Sequence, residues 1–284
     1  MIGNRRALII KRILGKLAAL LLGAGLVQAD GDGRFQLGKV NGRDCLIDPD
    51  GKPFLSLGVN HIRNVFQGEG ALLGDHRQAC EDILQRLTYW GYNTGGYGTP
   101  EPLCRMLPSF APMYLTKNAN YMSDEQFEYC DVFDPVVQQK MREVIQYEIR
   151  KQAGNSTLIG YYLTDTPQWD LERARKKRGT DWVSMIRELP LGAPGKIRYE
   201  QFLAYGGHSD EAFLRLIARE LYEVIGEETR RLAPDVLIFG ERYLAYDHPD
   251  CVIEEALPYI DVLSIQPGGV QFEAAYFRPH AREV

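Results

Sequence analysis

The stretch that decides the fold is Leu158-Ile-Gly-Tyr-Tyr-Leu-Thr-Asp-Thr-Pro-Gln-Trp169, in which an apolar run leads directly into polar and aromatic residues. A parallel strand that is buried on both faces reads as a continuous apolar run, so the change at Thr164 indicates the carboxyl end of such a strand. In (β/α) folds the loops at that end carry the functional site. The loop after this strand presents Asp165, Thr166 and Trp169.

Two interpretations of this loop remain open from its residues alone. An Asp close to a Trp at a strand end is a common way to hold a sugar, because the carboxylate meets hydroxyl groups while the indole stacks on the C–H face of the ring. The alternative is a strand followed by a proline turn, with Trp169 in the hydrophobic core. Residues elsewhere in the chain are needed to distinguish the two interpretations.

The amino terminus has the composition of a secretory signal peptide. Basic residues precede an apolar run over residues 13–26, and Val27-Gln28-Ala29 supplies small residues for cleavage after Ala29. The alternative is an uncleaved membrane anchor, but the run is shorter than the ~20 apolar residues that a span needs and it contains Lys16. We therefore expect a signal peptide at residues 1–29 and a secreted or periplasmic protein that has no membrane contact after cleavage.

The charge balance argues against two classes of partner. The formal net charge is −5, and removal of residues 1–29 takes away five cationic residues and no acidic one, which leaves −10. Nucleic acids and anionic membranes need a basic surface, so neither is an expected partner, whereas neutral glycans are allowed. The residues that remain, 30–284, are about as many as one (β/α) barrel domain needs, and we expect a single domain.

A strand–helix alternation follows a small amino-terminal β-hairpin. The hairpin is predicted from turn signals at Asn41-Gly42 and at residues 48–51. Helices are predicted from apolar residues at helical spacing, with Gly91 as one stop and Asp134-Pro135 as one start. The basic run at residues 173–178 is interpreted as a solvated helix face. The predicted strands are residues 54–60, 92–94, 112–116, 158–163, 236–240 and 262–265.

Six strand–helix units pass before the chain reaches Val284, whereas a closed (β/α)₈ barrel has eight. The sequence therefore predicts an α/β fold: an incomplete TIM barrel with about six of its eight units, preceded by the small hairpin. An open barrel leaves strand edges unpaired. A truncated reading frame that yields an inactive, partly unfolded fragment is thus an alternative.

The residues just past the predicted strands are polar, amide-rich and aromatic. Such a set suits a neutral polyhydroxylated ligand, because each amide both donates and accepts hydrogen bonds. It does not suit a metal, since no His-x-x-x-His pair occurs, and neither a metal nor a cofactor is expected. The candidate site residues are Asn60, His61, Asn93, Tyr97, Asn118, Asp165, Thr166, Trp169, Glu241, Arg242, Tyr243 and Gln266.

Asp165 and Glu241 are the candidate catalytic residues of this set, and the others are candidates for binding the substrate. For Glu241 the alternative is a structural residue paired with Arg242, since a direct salt bridge would lower the pKa of the carboxyl group and make it a poor acid. For His61 and Trp169 the alternative is packing in the core or at the rim.

With these residues in place, the chain resembles the (β/α)₈ retaining glycoside hydrolases of the β-agarase and β-galactosidase type. Four segments carry the resemblance in the same order, and together they cover residues 33 to about 268. The resemblance implies hydrolysis of O-glycosidic bonds in a polysaccharide such as a marine galactan. The segments are Gly42-Arg43 with residues 47–61, Trp90-Gly-Tyr-Asn-Thr94, Leu158 to Trp169, and Phe239-Gly-Glu-Arg-Tyr243.

The resemblance also implies two catalytic carboxylates, one that protonates the departing oxygen and one, about 5–5.5 Å away, that attacks the anomeric carbon. In agarase-like members the proton donor belongs to an Asn-Glu pair after the fourth strand, and this pair falls on Asp165-Thr166. A threonine is not a general acid at neutral pH, so Asp165 is predicted to take that role. The family's nucleophile follows a seventh strand, which is absent from this sequence. A non-catalytic glycan-binding barrel is therefore the alternative function.

Overall fold

The computed structural model describes residues 33–62, 76–113, 115, 129–164, 167–244 and 248–266. The described chain divides into two compact units, the first drawn from residues 33–111 and 152–160 and the second from residues 112–151 and 161–266. The predicted signal peptide lies outside the described residues. So do three of the candidate site residues, Asn118, Asp165 and Thr166.

The predicted hairpin is confirmed in the first unit. Strands β1 (Gln36–Val40) and β2 (Arg43–Ile47) pair antiparallel and are joined by Asn41 and Gly42, whose φ angles are 51° and 74°. Positive φ at both central residues is the geometry of the type I′ turn that Asn-Gly favours. A third strand, β3 (Pro53–Phe54), pairs antiparallel with β2, so the hairpin is part of a three-stranded sheet.

Four short strands form the next sheet, in which spatial order follows chain order. They are β4 (Gly58–Val59), β5 (Thr94–Gly95), β6 (Ser109–Pro112) and β7 (Leu158–Tyr162). The pairs β4–β5 and β5–β6 are parallel. Successive parallel neighbours are what a strand–helix alternation produces. The predicted mixed α/β fold with a parallel sheet is therefore confirmed.

The boundaries of these strands differ from the predicted ones. The strand predicted at residues 54–60 is divided between β3 and β4, because the intervening Leu55 O and Leu57 N bond to the side chain of Asn93 instead of to a neighbouring strand. The strand predicted at 92–94 starts at Thr94, since Tyr92 N is used to close the preceding helix. The third strand lies at β6, earlier than the predicted residues 112–116.

Before β7 the described part of the chain has two helices that the sequence predicted and one short helix that it did not. Helix α1 (His76–Tyr89) is followed by Gly91 at a φ of 81°, and the short helix α2 (Glu101–Cys104) precedes β6. Helix α3 (Pro135–Lys151) has the predicted amino-terminal cap, because Asp134 Oδ1 accepts from Val136 N at 2.8 Å. In the first unit a hydrophobic cluster brings together Ile62, Cys80, Leu87, Leu103 and Leu107.

The second unit contains four consecutive helices after β7: α4 (Leu171–Arg178), α5 (Trp182–Glu188), α6 (Pro194–Ala204) and α7 (Asp210–Leu232). The basic run lies on α4 and is largely exposed around one buried residue, Ala174, which agrees with the predicted solvated face. The 23-residue helix α7 buries a long apolar face. None of the helices that the structure describes is both long and apolar enough to cross a lipid bilayer.

A buried carboxylate fixes the junction between α4 and α5. Asp181 is fully buried, and its Oδ1 accepts from the backbone nitrogens of Val183 and Ser184 at 2.8 and 3.0 Å. Its Oδ2 accepts from Ser184 Oγ at 2.6 Å and from Arg175 Nη1 at 3.0 Å. Because every donor of this set points at one side chain, Asp181 both caps α5 and ties α4 to it.

Past α7, residues 237–242 run parallel to the end of β7 and exchange backbone hydrogen bonds with residues 161–164. One bridge, Tyr161 with Ile238, is all that remains of the strand predicted at 236–240, because Gly240 turns out of the extended conformation at a φ of 68°. The chain then forms β8 (Tyr243–Leu244), helix α8 (Asp250–Ala256) and β9 (Ile265–Gln266), with β8 and β9 parallel.

Candidate functional site

Glu241 lies in the second unit, between the turn at Gly240 and strand β8. Backbone bonds on both sides hold this segment: Arg242 N donates to Thr164 O at 2.9 Å, and Tyr243 N donates to Ser264 O at 3.1 Å. Glu241 is therefore placed beside the carboxyl end of β7, where the sequence predicted a functional site. The residue is only 2% exposed.

The carboxyl group of Glu241 is held by neutral donors. Trp169 Nε1–H donates to Oε2 at 2.6 Å, and the hydroxyl of Tyr222 on α7 donates to the same oxygen. The hydroxyl oxygens of Tyr222 and Tyr243 are 2.6 Å apart. The hydroxyl group of Tyr243 is also hydrogen-bonded to the carboxyl group of Glu241. The result is a buried chain of hydrogen bonds that ends on the carboxyl group.

Burial raises the pKa of Glu241 from its ordinary value of 4.5 to about 7. The hydrogen bonds from Tyr222, Trp169, Tyr243 and Thr164 favour the ionised form and act in the opposite direction, but burial is the larger effect. The raised pKa differs from the lowered pKa that the ion-pair interpretation of Glu241 required. A carboxyl group with this pKa gains and loses its proton near neutral pH, which general acid–base catalysis requires.

The second candidate in this cluster, Trp169, packs its ring inside the unit. Its indole stacks on Trp182 with the ring centroids 4.9 Å apart and 12° between the planes, and it has no exposed surface. The ring of Tyr129 meets Trp182 edge-on at 5.4 Å. The structure thus shows Trp169 in the packed position that the sequence left open as an alternative. Its indole N–H acts on the site through Glu241.

Gln266, at the end of β9, lies next to this cluster in the sheet, because β9 pairs with the strand that contains Tyr243. The Oε1 atom of Gln266 is buried and has no hydrogen-bond partner among the described residues. Buried polar atoms in proteins nearly always have a partner.

In the first unit, three predicted site residues come together past the carboxyl ends of β4 and β5. Asn60 Oδ1 accepts from Tyr97 N at 2.8 Å, and His61 N donates to Tyr97 O at 2.6 Å. The rings of His61 and Tyr97 meet edge to face at 5.2 Å. His61 has a φ of 62°, a conformation that is uncommon outside glycine and that is found preferentially at functional sites.

Asn93 occupies a different place from the one predicted. It precedes β5, so it lies at the amino end of that strand and not beyond its carboxyl end. Its Nδ2 donates to Leu55 O at 2.8 Å, and its Oδ1 accepts from Leu57 N at 2.8 Å and from Thr94 Oγ1 at 2.9 Å. The amide thereby links the chain before β4 to the chain before β5.

Two residues of the Glu241 cluster escaped the sequence analysis, Tyr222 and Trp182. Tyr222 lies among the apolar residues of the buried face of α7, and a tyrosine in such a face needs a partner for its hydroxyl group. This need for a hydrogen-bond partner was the feature of the sequence that could have indicated a polar group near Tyr222. Among the described residues, no three side chains of His, Cys, Asp or Glu come together as ligands for a metal.

Solved structures of agarases are similar to this chain in fold. The sequence matches no protein-family model and no curated protein. The chain superposes on BpGH50 with a TM-score of 0.71 at 17% identity, over 92% of this chain and 64% of that one. The agarase AgWH50C has a TM-score of 0.63 at 16% identity, over 87% of this chain and 47% of that one. An exo-β-agarase has a TM-score of 0.66 at 14% identity, over 88% of this chain and 52% of that one. This chain spans from about half to just under two thirds of these proteins.

Proposed function

We propose that the chain supplies six strand–helix units of a (β/α)₈ barrel and acts as an exported, agarase-like glycoside hydrolase on a polysaccharide, with a galactan as the first candidate. The observation that carries the proposal is the fold shared with two agarases over 87% and 88% of this chain. A buried carboxyl group beside the end of β7, with a pKa of about 7, gives the fold a group suited to the chemistry.

In this proposal Glu241 and Asp165 are the two carboxylates of the reaction. Glycoside hydrolysis needs one group that protonates the departing glycosidic oxygen and one that acts on the anomeric carbon. A raised pKa fits Glu241 to hold the proton at neutral pH, and Tyr222 and Trp169 keep its carboxyl group in place. Asp165, which the sequence predicted as the proton donor, is in this proposal the candidate for the second carboxylate.

The proposed substrate is bound by hydroxyl-matching groups at the strand ends. The His61–Tyr97 ring pair supports this role as an aromatic surface at the end of β4 and β5. The remaining proposed binding residues are Asn60, Asn118, Thr166, Arg242 and Gln266. We further propose that the protein is secreted or periplasmic and needs no cofactor, on the basis of its sequence.

The test is to measure the release of reducing ends from a panel of galactans by the wild-type chain, Asp165→Asn and Glu241→Gln. Each substitution removes a proposed acid or base, and we expect a loss of turnover of about a hundredfold or more. The matched control is Glu228→Gln, which changes a glutamate on α7 that pairs with Arg231; its turnover should stay at the wild-type level.

Wild-type turnover in both Asp165→Asn and Glu241→Gln would refute these assignments. If the wild-type chain binds galactan oligosaccharides saturably but releases no reducing ends, the function is that of a non-catalytic glycan-binding barrel and not of a hydrolase. A Glu241→Gln variant that keeps its turnover but changes its stability profile would limit Glu241 to a role in the fold.

A further inference from the structure

A group of aromatic side chains at the end of α1 stands out because it is exposed. Tyr89, Trp90 and Tyr92 are 86%, 63% and 40% exposed, and we call residues 89–92 the aromatic turn. Single exposed apolar residues are ordinary, but contiguous ones mark interaction surfaces. These three exposed rings lie within four consecutive residues.

The backbone of the aromatic turn is fixed by a Schellman cap. Tyr92 N donates to Leu87 O at 2.9 Å, Gly91 N donates to Thr88 O at 3.0 Å, and Gly91 has the left-handed φ of 81° that this cap requires. The next residue, Asn93, is tied by its side chain to the backbone before β4. The rings therefore project from a preformed support, which reduces the ordering cost of binding a ligand.

The chain before β4 is tied to Asn93, the residue that follows the aromatic turn. Leu55 and Leu57 are about half exposed, and both are linked through their backbones to Asn93. These residues precede β4 and β5, whereas the His61–Tyr97 pair follows them. The aromatic turn thus lies at the opposite ends of these two strands from the His61–Tyr97 pair.

The size and chemistry of the aromatic turn fit a glycan better than a second protein. Aromatic side chains bury about 150–250 Å² each, so the exposed parts of the three rings offer roughly 400 Å². Each partner in a stable protein complex buries about 800 Å². Residues 89–93, Tyr-Trp-Gly-Tyr-Asn, contain no charged residue, and their rings present flat faces for sugar C–H groups together with phenol hydroxyls for hydrogen bonds.

We propose that the aromatic turn is a second polysaccharide-binding surface, which holds a neutral galactan by ring stacking in addition to the proposed cleavage site at Glu241, here called the strand-end site. The proposal rests on the proposed function for the identity of the glycan. It goes beyond that function because it assigns a surface that takes no part in bond cleavage. A surface of this kind keeps the protein on an insoluble polymer while the strand-end site acts on single chains.

The experiment uses agarose beads as the probe and measures the apparent Kd of the full chain for them. We compare the wild type with the double variant Tyr89→Ala/Trp90→Ala, in a Glu241→Gln background so that turnover does not erode the beads. The matched control is Tyr205→Ala, which removes a tyrosine that is 88% exposed after α6 in the other unit. We expect retention to weaken at least about tenfold in the double variant and to stay unchanged in the control.

Folding is checked by thermal unfolding, which the double variant should leave unchanged because the cap is made by backbone groups and Gly91. A second variant, Trp90→Phe, keeps an aromatic face and should retain binding. Equal retention of the double variant and the wild type overturns the proposal, and so does a wild-type chain that does not bind agarose. A concentration-dependent dimer that Trp90→Ala abolishes also overturns it, since the occupant is then a second copy.

The same samples distinguish this proposal from the proposed function. Turnover of a short soluble galactan oligosaccharide reports on the strand-end site alone. If the chain binds agarose through the aromatic turn but has no turnover, only the proposed hydrolase function is refuted. If it has turnover but does not bind through the turn, only the proposed second binding surface is refuted.

Discussion

Glu241 makes the stability of the protein depend on pH in a direction that is unusual for a carboxyl group. Its pKa is raised from 4.5 to about 7, so the folded chain keeps the proton in a range where the unfolded chain has lost it. Below both values the two states are equally protonated. As pH rises from 4.5 toward 7 only the unfolded state ionises, and the free energy of unfolding falls. The contribution is fully present at acidic pH and is lost above about 7.

The size of the effect follows from the shift. Each pKa unit corresponds to about 1.4 kcal/mol, so the raised pKa of Glu241 amounts to about 3 kcal/mol between the two ends of the range. Glu241→Gln removes the titration and keeps an oxygen that accepts from Trp169 and Tyr222. We expect the wild-type chain to lose about 3 kcal/mol more than the variant between about pH 4 and pH 8. Guanidinium denaturation at a series of pH values measures it.

Glu228→Gln is the control of opposite sign. The pKa of Glu228 is lowered, chiefly by its hydrogen bond from Arg231, so its contribution is present above its ordinary pKa and is lost as pH falls. The variant should therefore lack part of the wild-type loss of stability on acidification. If the wild type and Glu241→Gln gave parallel curves across the neutral range, Glu241 would have an ordinary pKa, and the argument for it as a proton donor would fail.

Three further predictions concern the packing around this site. Trp182→Ala removes the ring stacked on Trp169 and should cost about 3–5 kcal/mol in chemical denaturation; a cost below 1 kcal/mol would contradict the stacked arrangement. Asp181→Ala should cost about 2 kcal/mol by loss of the α5 cap, and Asp181→Asn should recover part of it. Gly226→Ala should destabilise by about 1–3 kcal/mol, because the new Cβ would lie 2.4 Å from Tyr259 Cδ1. The double variant with Tyr259→Ala should show non-additive free energies.

Features that depend on neighbouring residues in the chain followed from the sequence. The Asn41-Gly42 turn, the start of α3 at Asp134-Pro135 and the stop at Gly91 are each set by the backbone preferences of one or two residues. The position of β7 was predicted from its continuous apolar run. Strand boundaries were less accurate, because a strand of two residues is defined by its hydrogen-bond partners, which lie far away in sequence.

The candidate site shows the same division. The sequence placed Glu241 at a strand end, but it also suggested the adjacent Arg242 as an ion partner. In an extended segment successive side chains point to opposite faces. The structure accordingly buries Glu241 and Tyr243 and leaves Arg242 half-buried. Adjacency in the sequence was therefore a poor guide to the partner of Glu241.

By itself, then, the sequence determined the local turns and caps, the alternation of strands with helices, and the set of polar residues that follow the strands, because these depend on near neighbours. Only the tertiary structure decided which of them meet. Trp169 and Tyr222 reach Glu241 across 72 and 19 residues of chain, and together with their burial they give this carboxyl group its pKa. Desolvation comes from atoms that folding gathers around a group, and no stretch of neighbouring residues encodes it.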